Sequence, residues 1–437
     1  MQQLIIEAQY PLIFRKEESK ALGEHIKKRH SVVLIGMKRV GISNFLRFFL
    51  YHGGIKKIYI QDGKQHFFIP VDLNDLVERE VSFFWTLTLK RIVDEIEKSA
   101  LPQEAKNGVK RLFLDSMKSQ DLFLTIDSVR KALVMLSEAG VEPTLFFIRF
   151  DRIKDALNPE FFANLEGLRD ATHQKLAYIF TSFRRLNQLS PTVFGKAALS
   201  LFSNDLYIKP AKKEDVATIY KAYEDHYKLL LVPSLEQGLF DIVDGYVQYL
   251  QLALIVLHEQ KPKLESKSQL FDYLVQDERI ILQSEELWES LDSNEQEVLN
   301  KINRGEEINA EEKEKASYLW ETGFIAESNG KRAIFNALFD FYVKQKTQSQ
   351  TETNGVEFTK KENLLFIFLK DHLNEVCERE QIIEAVWPEV EALGVSDWAI
   401  DRLVARARSK LNKQGNKFEI QTVKTRGYKL VENPLRE

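Results

Sequence analysis

The chain has 437 residues, 44% apolar and 29% charged, and its 61 Lys/Arg against 65 Asp/Glu leave a formal net charge of −4. That composition describes a globular protein able to fill about three ordinary domains, and its acidic balance confines any polyanion contact to one region. The single cysteine, Cys377, excludes an internal disulfide framework and fits a reducing compartment. Met1–Glu7 lacks the basic and then apolar order of a secretion signal. No apolar run reaches the roughly eighteen residues of a membrane span, and the His residues show no metal-ligand spacing. The expectation is a cytoplasmic protein with no membrane contact and no metal site.

Residues 20–30 are polar and helix-forming, and they lead into Ser31-Val-Val-Leu-Ile-Gly36, the short apolar run of a buried parallel strand. Next come Gly36-Met-Lys38-Arg39-Val-Gly41-Ile42-Ser43-Asn44 and a helical run, Phe45–Leu50. A strand, two glycines five apart, a serine and a helix make the layout of a P-loop, whose backbone N–H groups cradle phosphate. The full motif has Lys directly after the second glycine; here Ile42 stands there, with Lys38 and Arg39 nearby. On these residues alone, an ordinary strand–turn–helix without ligand stays open.

Further strands are expected at Lys57–Ile60 and Phe67–Asp72, then a helix over Val81–Ser99 and two more helices within 105–140. Thr144-Leu-Phe-Phe-Ile-Arg149-Phe-Asp151-Arg152 reads as an apolar strand ending in charge, followed by a helix, Pro159–Ala171, and a strand, Leu176–Thr181. Alternation of this kind implies right-handed crossovers and a parallel sheet covered on both faces.

Three segments, Gly36–Ser43, Leu145–Asp151 and Thr181-Ser-Phe-Arg184, resemble the AAA+-like NTPase domain of STAND-class signal-transducing proteins. In that family the second strand ends in an Asp-Glu pair that holds Mg²⁺ and orients water. One alignment puts Ile148 and Arg149 at the pair with Asp151 beyond it; the shifted frame makes Asp151 the metal acid and puts Arg152 in the base position. Helices over Glu214–Tyr227 and Val247–His258 resemble the family's lid, and its Gly-x-Pro signature would fall on Gly245-Tyr-Val247, without the proline. Phosphoryl transfer depends on placed charge and metal. The resemblance with these departures therefore implies a degenerate domain with little or no hydrolysis, no catalytic residues and at most weak binding of ATP or ADP. The nucleotide-binding candidates are Gly36, Lys38, Arg39, Gly41, Ser43 and Asp151, and Arg149 or Arg184 is a candidate phosphate holder.

Residues 285–343 read as helix, helix, hairpin. Ser293 or Asp292 caps the first helix, Glu311–Trp320 forms the second, and Asn329-Gly330 makes the turn. This outline resembles the winged helix that follows STAND cores; it is not notably basic, so an internal packing role is expected. Lys344–Gly355 contains no apolar residue and reads as a flexible linker.

From residue 398 onward ten Lys/Arg face four Asp/Glu. Ile400, Val404, Ala407 and Leu411 form one apolar helical stripe, and two strand-like runs, Phe418–Val423 and Tyr428–Val431, flank a basic tip. With Thr359–Glu362, Arg379, Val386-Trp387, Arg406-Ala-Arg408-Ser-Lys410-Leu411 and Thr422–Tyr428 in order, residues 356–437 resemble the OmpR/PhoB-type winged helix-turn-helix. The resemblance implies double-stranded DNA as partner. Arg402 and Arg406 are the expected base or backbone readers, with Ser409 near a phosphate. Arg379, Arg408 and Lys410 are expected to position the backbone, and Lys424 and Arg426 to reach the minor groove from the wing. Such domains pair in tandem, which implies self-association and contact with the transcription machinery.

The expected architecture is multidomain, α/β plus α+β. It comprises a P-loop NTPase-like core over 1–205, a helical lid over 206–284, a winged helix over 285–343, a linker over 344–355 and a second winged helix over 356–437. The expected function is a DNA-binding transcriptional regulator whose NTPase-like part senses or oligomerises. An active ATP-driven switch and a winged-helix scaffold in a larger assembly remain the alternatives.

Overall fold

The computed structural model describes residues 5–189, 191, 193, 204–227, 231–328, 331–352, 358, 360–387, 397–413, 417–423 and 426–432. The chain divides into two compact units, residues 1–343 and 344–437.

The first unit is built on five parallel strands, β1 (Val32–Ile35), β2 (Gln65–Asp72), β3 (Val141–Ile148), β4 (Ala177–Ser182) and β5 (Asp205–Tyr207), in spatial order β2-β3-β4-β1-β5. β1 and β4 are buried at every position and β3 at all but its last, as strands covered on both faces must be. Ile35 pairs with Ser182 on one side and Tyr207 on the other. The loops after these strands therefore emerge together at the carboxyl edge, where open parallel sheets place ligands.

The covering helices are α1 (Lys16–Lys27), α2 (Ile42–Tyr51), α3 (Ile55–Tyr59), α4 (Val81–Lys98), α5 (Gln103–Ser119), α6 (Leu122–Glu138), α7 (Pro159–Ala171) and α8 (Leu186–Leu189). α7 starts where Pro159 fixes the first turn and the Asn158 side chain accepts from Phe161 N–H at 2.9 Å. The strand expected at Lys57–Ile60 is instead α3: Ile55 and Tyr59, one helical turn apart, are the residues it buries.

A helical layer follows: α9 (Lys213–Tyr227), α10 (Pro233–Val243), α11 (Val247–Gln260), α12 (Lys267–Leu274) and α13 (Glu278–Glu289). α14 (Ser293–Arg304) is capped by Asp292, which accepts from Glu295 N–H while the Glu295 carboxylate accepts from Asp292 N–H, each at 2.9 Å. The single helix expected over 311–320 is two, α15 (Ala310–Lys315) and α16 (Ser317–Glu321), broken at buried Ala316. β6 (Ile325–Ser328) and β7 (Lys331–Ile334) form the expected hairpin; its Asn329-Gly330 turn lies outside the described residues. Leu319, Phe324, Phe335, Phe339 and Val343 join the same hydrophobic core as the sheet. The Asn336 amide adds hydrogen bonds to the Ile242 and Val243 carbonyls at 3.0 and 2.6 Å.

α17 runs Ala337–Glu352, so the stretch expected to be a flexible linker is helical at least to Glu352. Buried Leu338, Phe339 and Val343 anchor its first turns, and the Lys, Gln and Glu that follow extend a helix at little cost.

The second unit holds α18 (Lys360–Asp371), β8 (Cys377–Glu378), α19 (Arg379–Val386), α20 (Asp397–Lys413), β9 (Phe418–Val423) and β10 (Gly427–Glu432), with an antiparallel sheet in order β8-β10-β9. Leu365, Leu369, Ile382, Trp387, Ile400, Leu403, Val404, Ala407, Leu411, Ile420, Tyr428 and Leu430 make its own core. Every member of the expected α20 stripe is buried. The two-residue β8 has no counterpart in the sequence reading. It lies so close to β10 that a Cβ on Gly427, at φ +150, would come within 2.0 Å of the Cys377 carbonyl oxygen.

Candidate nucleotide cleft and nucleic-acid interface

In the first unit, the loop from Gly36 to Ser43 borders a cleft of about 560 Å³ that Gly36, Lys38, Arg39, Gly41, Ser43 and Asp151 all line. The sequence-predicted nucleotide candidates are thus brought together. Two glycines have packing reasons: a Cβ on Gly36 would lie 2.7 Å from the Ile208 carbonyl oxygen, and one on Gly41, at φ +110, 2.7 Å from a Val247 methyl. Arg39 is also left-handed, at φ +60. The Tyr246 hydroxyl donates to the Lys38 carbonyl at 2.7 Å and accepts from the Gln283 amide at 3.0 Å, fixing the loop backbone from beneath. Gly245 is pinned as well, at φ +81, with its Cβ position 2.2 Å from the Ala211 carbonyl oxygen.

The side chains tell a different story from the backbone. Ile42 borders the cleft where a P-loop lysine would stand. Arg149, left-handed at φ +59, caps the end of β3; its N–H donates to Thr181 Oγ1 at 2.7 Å and its guanidinium pairs with Asp72. Asp151 is held above the usual carboxylate range by burial, against the opposing pull of Lys38, Arg152 and Arg149. Arg39 pairs with Glu286 at 2.9 Å and Arg47 with Glu7 at 2.7 Å. Five cations, Lys38, Arg39, Arg47, Arg149 and Arg152, line the cleft against two acids, Asp151 and Glu286.

Arg184 is not a phosphate holder here. Its guanidinium bonds the Glu295 carboxylate at 2.6 Å and the Ser290 carbonyl at 2.6 Å, and lies 3.8 Å over the Tyr318 ring. Burial beside an acid far along the chain left no signal in the sequence.

The sequence reading also missed a cluster at the opposite end of the strands, where Asp62, His66 and Glu142 bring ligand-type atoms within 4.8 Å of one another. His66 Nε2 lies 2.9 Å from Asp62 and Nδ1 3.4 Å from Arg29 Nη1. Guanidinium only donates, so the Arg29 contact pairs with a His66 whose Nδ1 accepts while Nε2 faces Asp62. Lys64 holds Glu142 at 2.8 Å. Burial keeps the His66 pKa below its ordinary value. These three residues form an ion-pair network with Arg29 and Lys64.

In the second unit, Arg379 opens α19, bonds Asp401 at 2.6 Å and lies 5.5 Å over the Tyr428 ring. Tyr428 also donates to Asp401, and burial, then Asp401, pushes its pKa up to about 12. Arg408 Nε donates to the Ile420 carbonyl at 2.6 Å and Nη2 to Thr422 at 2.7 Å, tying α20 to β9. Arg406 and Lys410 face Glu362 of α18 at 3.5 and 2.6 Å; Glu362 is 1% exposed and Arg406 11%. Glu362 was read only as part of a helix start; its charge role depends on a partner helix. Arg402 is partly buried, Ser409 and Arg426 are exposed, and Lys424 lies outside the described residues. Glu378, at the start of α19, donates its N–H to Gln381 Oε1 at 2.8 Å.

Residues 352–430 match the family model described as "Transcriptional regulatory protein, C terminal". The chain carries a winged-helix domain of that type. No curated protein matches it. Among solved structures it is similar to the ORC2 protein of Aeropyrum pernix, at 12% identity and TM-score 0.48, covering 80% of this chain and 98% of that one. A Walker-type ATPase of Pyrococcus abyssi follows at 16% identity and TM-score 0.42, covering 76% and 96%. Cdc6p of Pyrobaculum aerophilum stands at 12% identity and TM-score 0.36, covering 79% and 98%. What either site can do is read from its own residues.

Among the described residues no helix is long and apolar enough to cross a membrane.

Proposed function

We propose that the protein is a DNA-binding transcriptional regulator in which the C-terminal winged helix contacts double-stranded DNA. The P-loop unit serves as a sensing or oligomerisation scaffold with little or no ATP hydrolysis. The observation that carries the reading is the family match over 352–430 on a folded helix-and-hairpin unit with its own core. Arg402 and Ser409 on α20, with Lys424 and Arg426 at the wing, are the proposed DNA contacts. Arg379, Arg406, Arg408 and Lys410 are proposed to orient the recognition helix, each through a contact within the domain. The non-hydrolytic role of the P-loop unit is supported by Ile42 in the lysine position and by Arg149 and Arg152 around Asp151. Self-association through tandem binding and contact with the transcription machinery belong to the same proposal.

The test is binding of the full-length protein to double-stranded genomic fragments at two salt concentrations. Affinity is expected to fall steeply with salt, because Lys and Arg displace counterions from phosphates. Absent or salt-insensitive binding overturns the reading.

A further inference from the structure

Between β2 and β3 the chain inserts three helices, α4, α5 and α6, which pack against one another. Lys106, near the start of α5, donates to the Glu97 and Ser99 carbonyls at the end of α4, at 3.1 and 2.7 Å. The Ser116 and Thr125 hydroxyls, 2.7 Å apart, join the end of α5 to the start of α6. The start of α4, the end of α5 and the start of α6 therefore lie at one end of this layer. Apolar side chains collect there without cover. Phe83, Leu114, Met117, Leu122 and Leu124 are between 38% and 49% exposed, and Phe123 is 72% exposed. Only Val109 and Ser116 of α5 are buried. Asp121 caps α6 by accepting from Leu124 N–H at 2.8 Å, so Leu122, Phe123 and Leu124 fill its first turn. Helical side chains lean toward the N-terminus, and in a first turn they project past the helix end.

Scaled from ordinary side-chain areas, these residues expose roughly 500–600 Å² of apolar surface. Single exposed apolar residues are common, but a gathered patch of this size marks a contact surface. A standard protein interface buries about 800 Å² on each partner, of which about 60% is apolar. The helical end presents about that much apolar area. Its rim decides among occupants. Glu78, Glu80, Asp115 and Asp121 stand with Arg79, Arg111 and Lys118, all exposed. Nucleic acid and anionic lipid call for a basic surface, and four acids with three bases do not make one. A rim of both signs suits a copy of itself, because a two-fold axis sets the bases of one copy against the acids of the other.

We infer that this end of the α4–α6 layer is a self-association surface, seated on the same surface of a second copy about a two-fold axis. The inference rests on the self-association in the proposed function and assigns it to the first unit, not to the winged helix. Phe123, the most exposed of the six, is the anchor, as aromatic side chains commonly are at interface centres. A dimer joined here carries two winged helices. The second half-site on DNA is then met at the effective concentration of a tethered domain.

The experiment is analytical ultracentrifugation of the full-length protein without DNA, from about 1 to roughly 100 µM. The wild type is expected to pass from monomer to dimer within that range. Phe123→Asp is expected to weaken the dimer by on the order of tenfold or more, since a two-fold interface loses the ring twice. Ile367→Asp, at an exposed apolar residue of α18 in the second unit, is expected to leave the dimer intact. Thermal melting establishes that each variant is folded. A wild type that stays monomeric, or a dimer that survives Phe123→Asp, overturns the inference. So does flotation of the wild type with phosphatidylglycerol vesicles that Phe123→Asp abolishes, which would assign the surface to lipid. A dimer broken by Ile367→Asp alone keeps the proposed self-association and removes it from the first unit. Salt-dependent binding of monomeric Phe123→Asp to single DNA sites reports separately on the regulator function, so the two can fail independently.

Discussion

The P-loop cleft and the α20–hairpin surface both gather arginines, but they use them differently. In the cleft, packing sets the form of the loop. Gly36 and Gly41 are held by the Ile208 carbonyl and by Val247, contacts that depend on packing and not on any phosphate. Ile42, Arg149 and Arg152 stand around that loop. In the winged helix, the side chains themselves hold the elements together: Arg408 ties α20 to β9, and Glu362 gathers Arg406 and Lys410. A loop kept by packing can lose its reactive groups and still fold. A helix kept by ion pairs cannot lose its charges so freely.

That contrast breaks most visibly at Glu362. Glu362→Ala leaves Arg406 and Lys410 facing a buried site without their acid, and removing one partner of such a group costs about 3 kcal/mol. Chemical denaturation is expected to show the second unit unfolding earlier while the first keeps its midpoint. Equal shifts in both would refute the division of labour. Next in size is Gly41→Ala, which forces a Cβ into the left-handed region 2.7 Å from Val247 and is expected to destabilise the first unit by roughly 1–3 kcal/mol. DNA affinity should stay unchanged in the same protein.

A smaller effect belongs to the wing. Arg426→Ala is expected to weaken DNA binding roughly fivefold for every sequence alike and to lower the salt slope by about one. An effect confined to one operator sequence would make Arg426 a base reader instead of a phosphate contact.

The smallest effect is in pH. Burial lowers the folded-state pKa of His66 below the ordinary value near 6.5, so between those two values the unfolded chain binds more protons. Stability is then full above about pH 6.5 and declines as pH falls through the window below it. The melting midpoint of the first unit is expected to drop on acidification from pH 7 to 5. His66→Gln should flatten that slope, because protonated His66 would face Arg29 at 3.4 Å.

Sequence periodicity exposed those parts whose cause is local. The apolar runs of β1, β3 and β4 read directly, as did the α20 stripe and a cap at Asp292 or Ser293, which the structure gives to Asp292. Short segments did not: Lys57–Ile60 passes for a strand, and only the buried one-turn spacing of Ile55 and Tyr59 reveals α3. The three residues of β5 and two of β8 are too short to carry a pattern. The polar run from Lys344 lacks the apolar spacing by which helices are recognised, yet α17 extends through it from an anchored start. Least legible were contacts between distant segments. Arg184 with Glu295, Glu362 with Arg406 and Lys410, and Asp62 with His66 and Glu142 are created by topology, and no local spacing announces them. The loop's own place in the cleft was readable because Gly36–Ser43 is one contiguous segment; the pairing of the arginines around it was not.

The hydrogen bond from Tyr246 to the Lys38 carbonyl has a consequence of its own. In a trans peptide the carbonyl and the next amide point in opposite directions, so anchoring that oxygen on a fully buried ring aims the Arg39 N–H away from Tyr246. The peptide plane is set before any ligand arrives. A guest meets a dipole already oriented and need not spend binding energy on turning it. Tyr246→Phe would leave the ring in place and free the plane to rotate, converting a rigid receptor into a floppy one without altering a single charge.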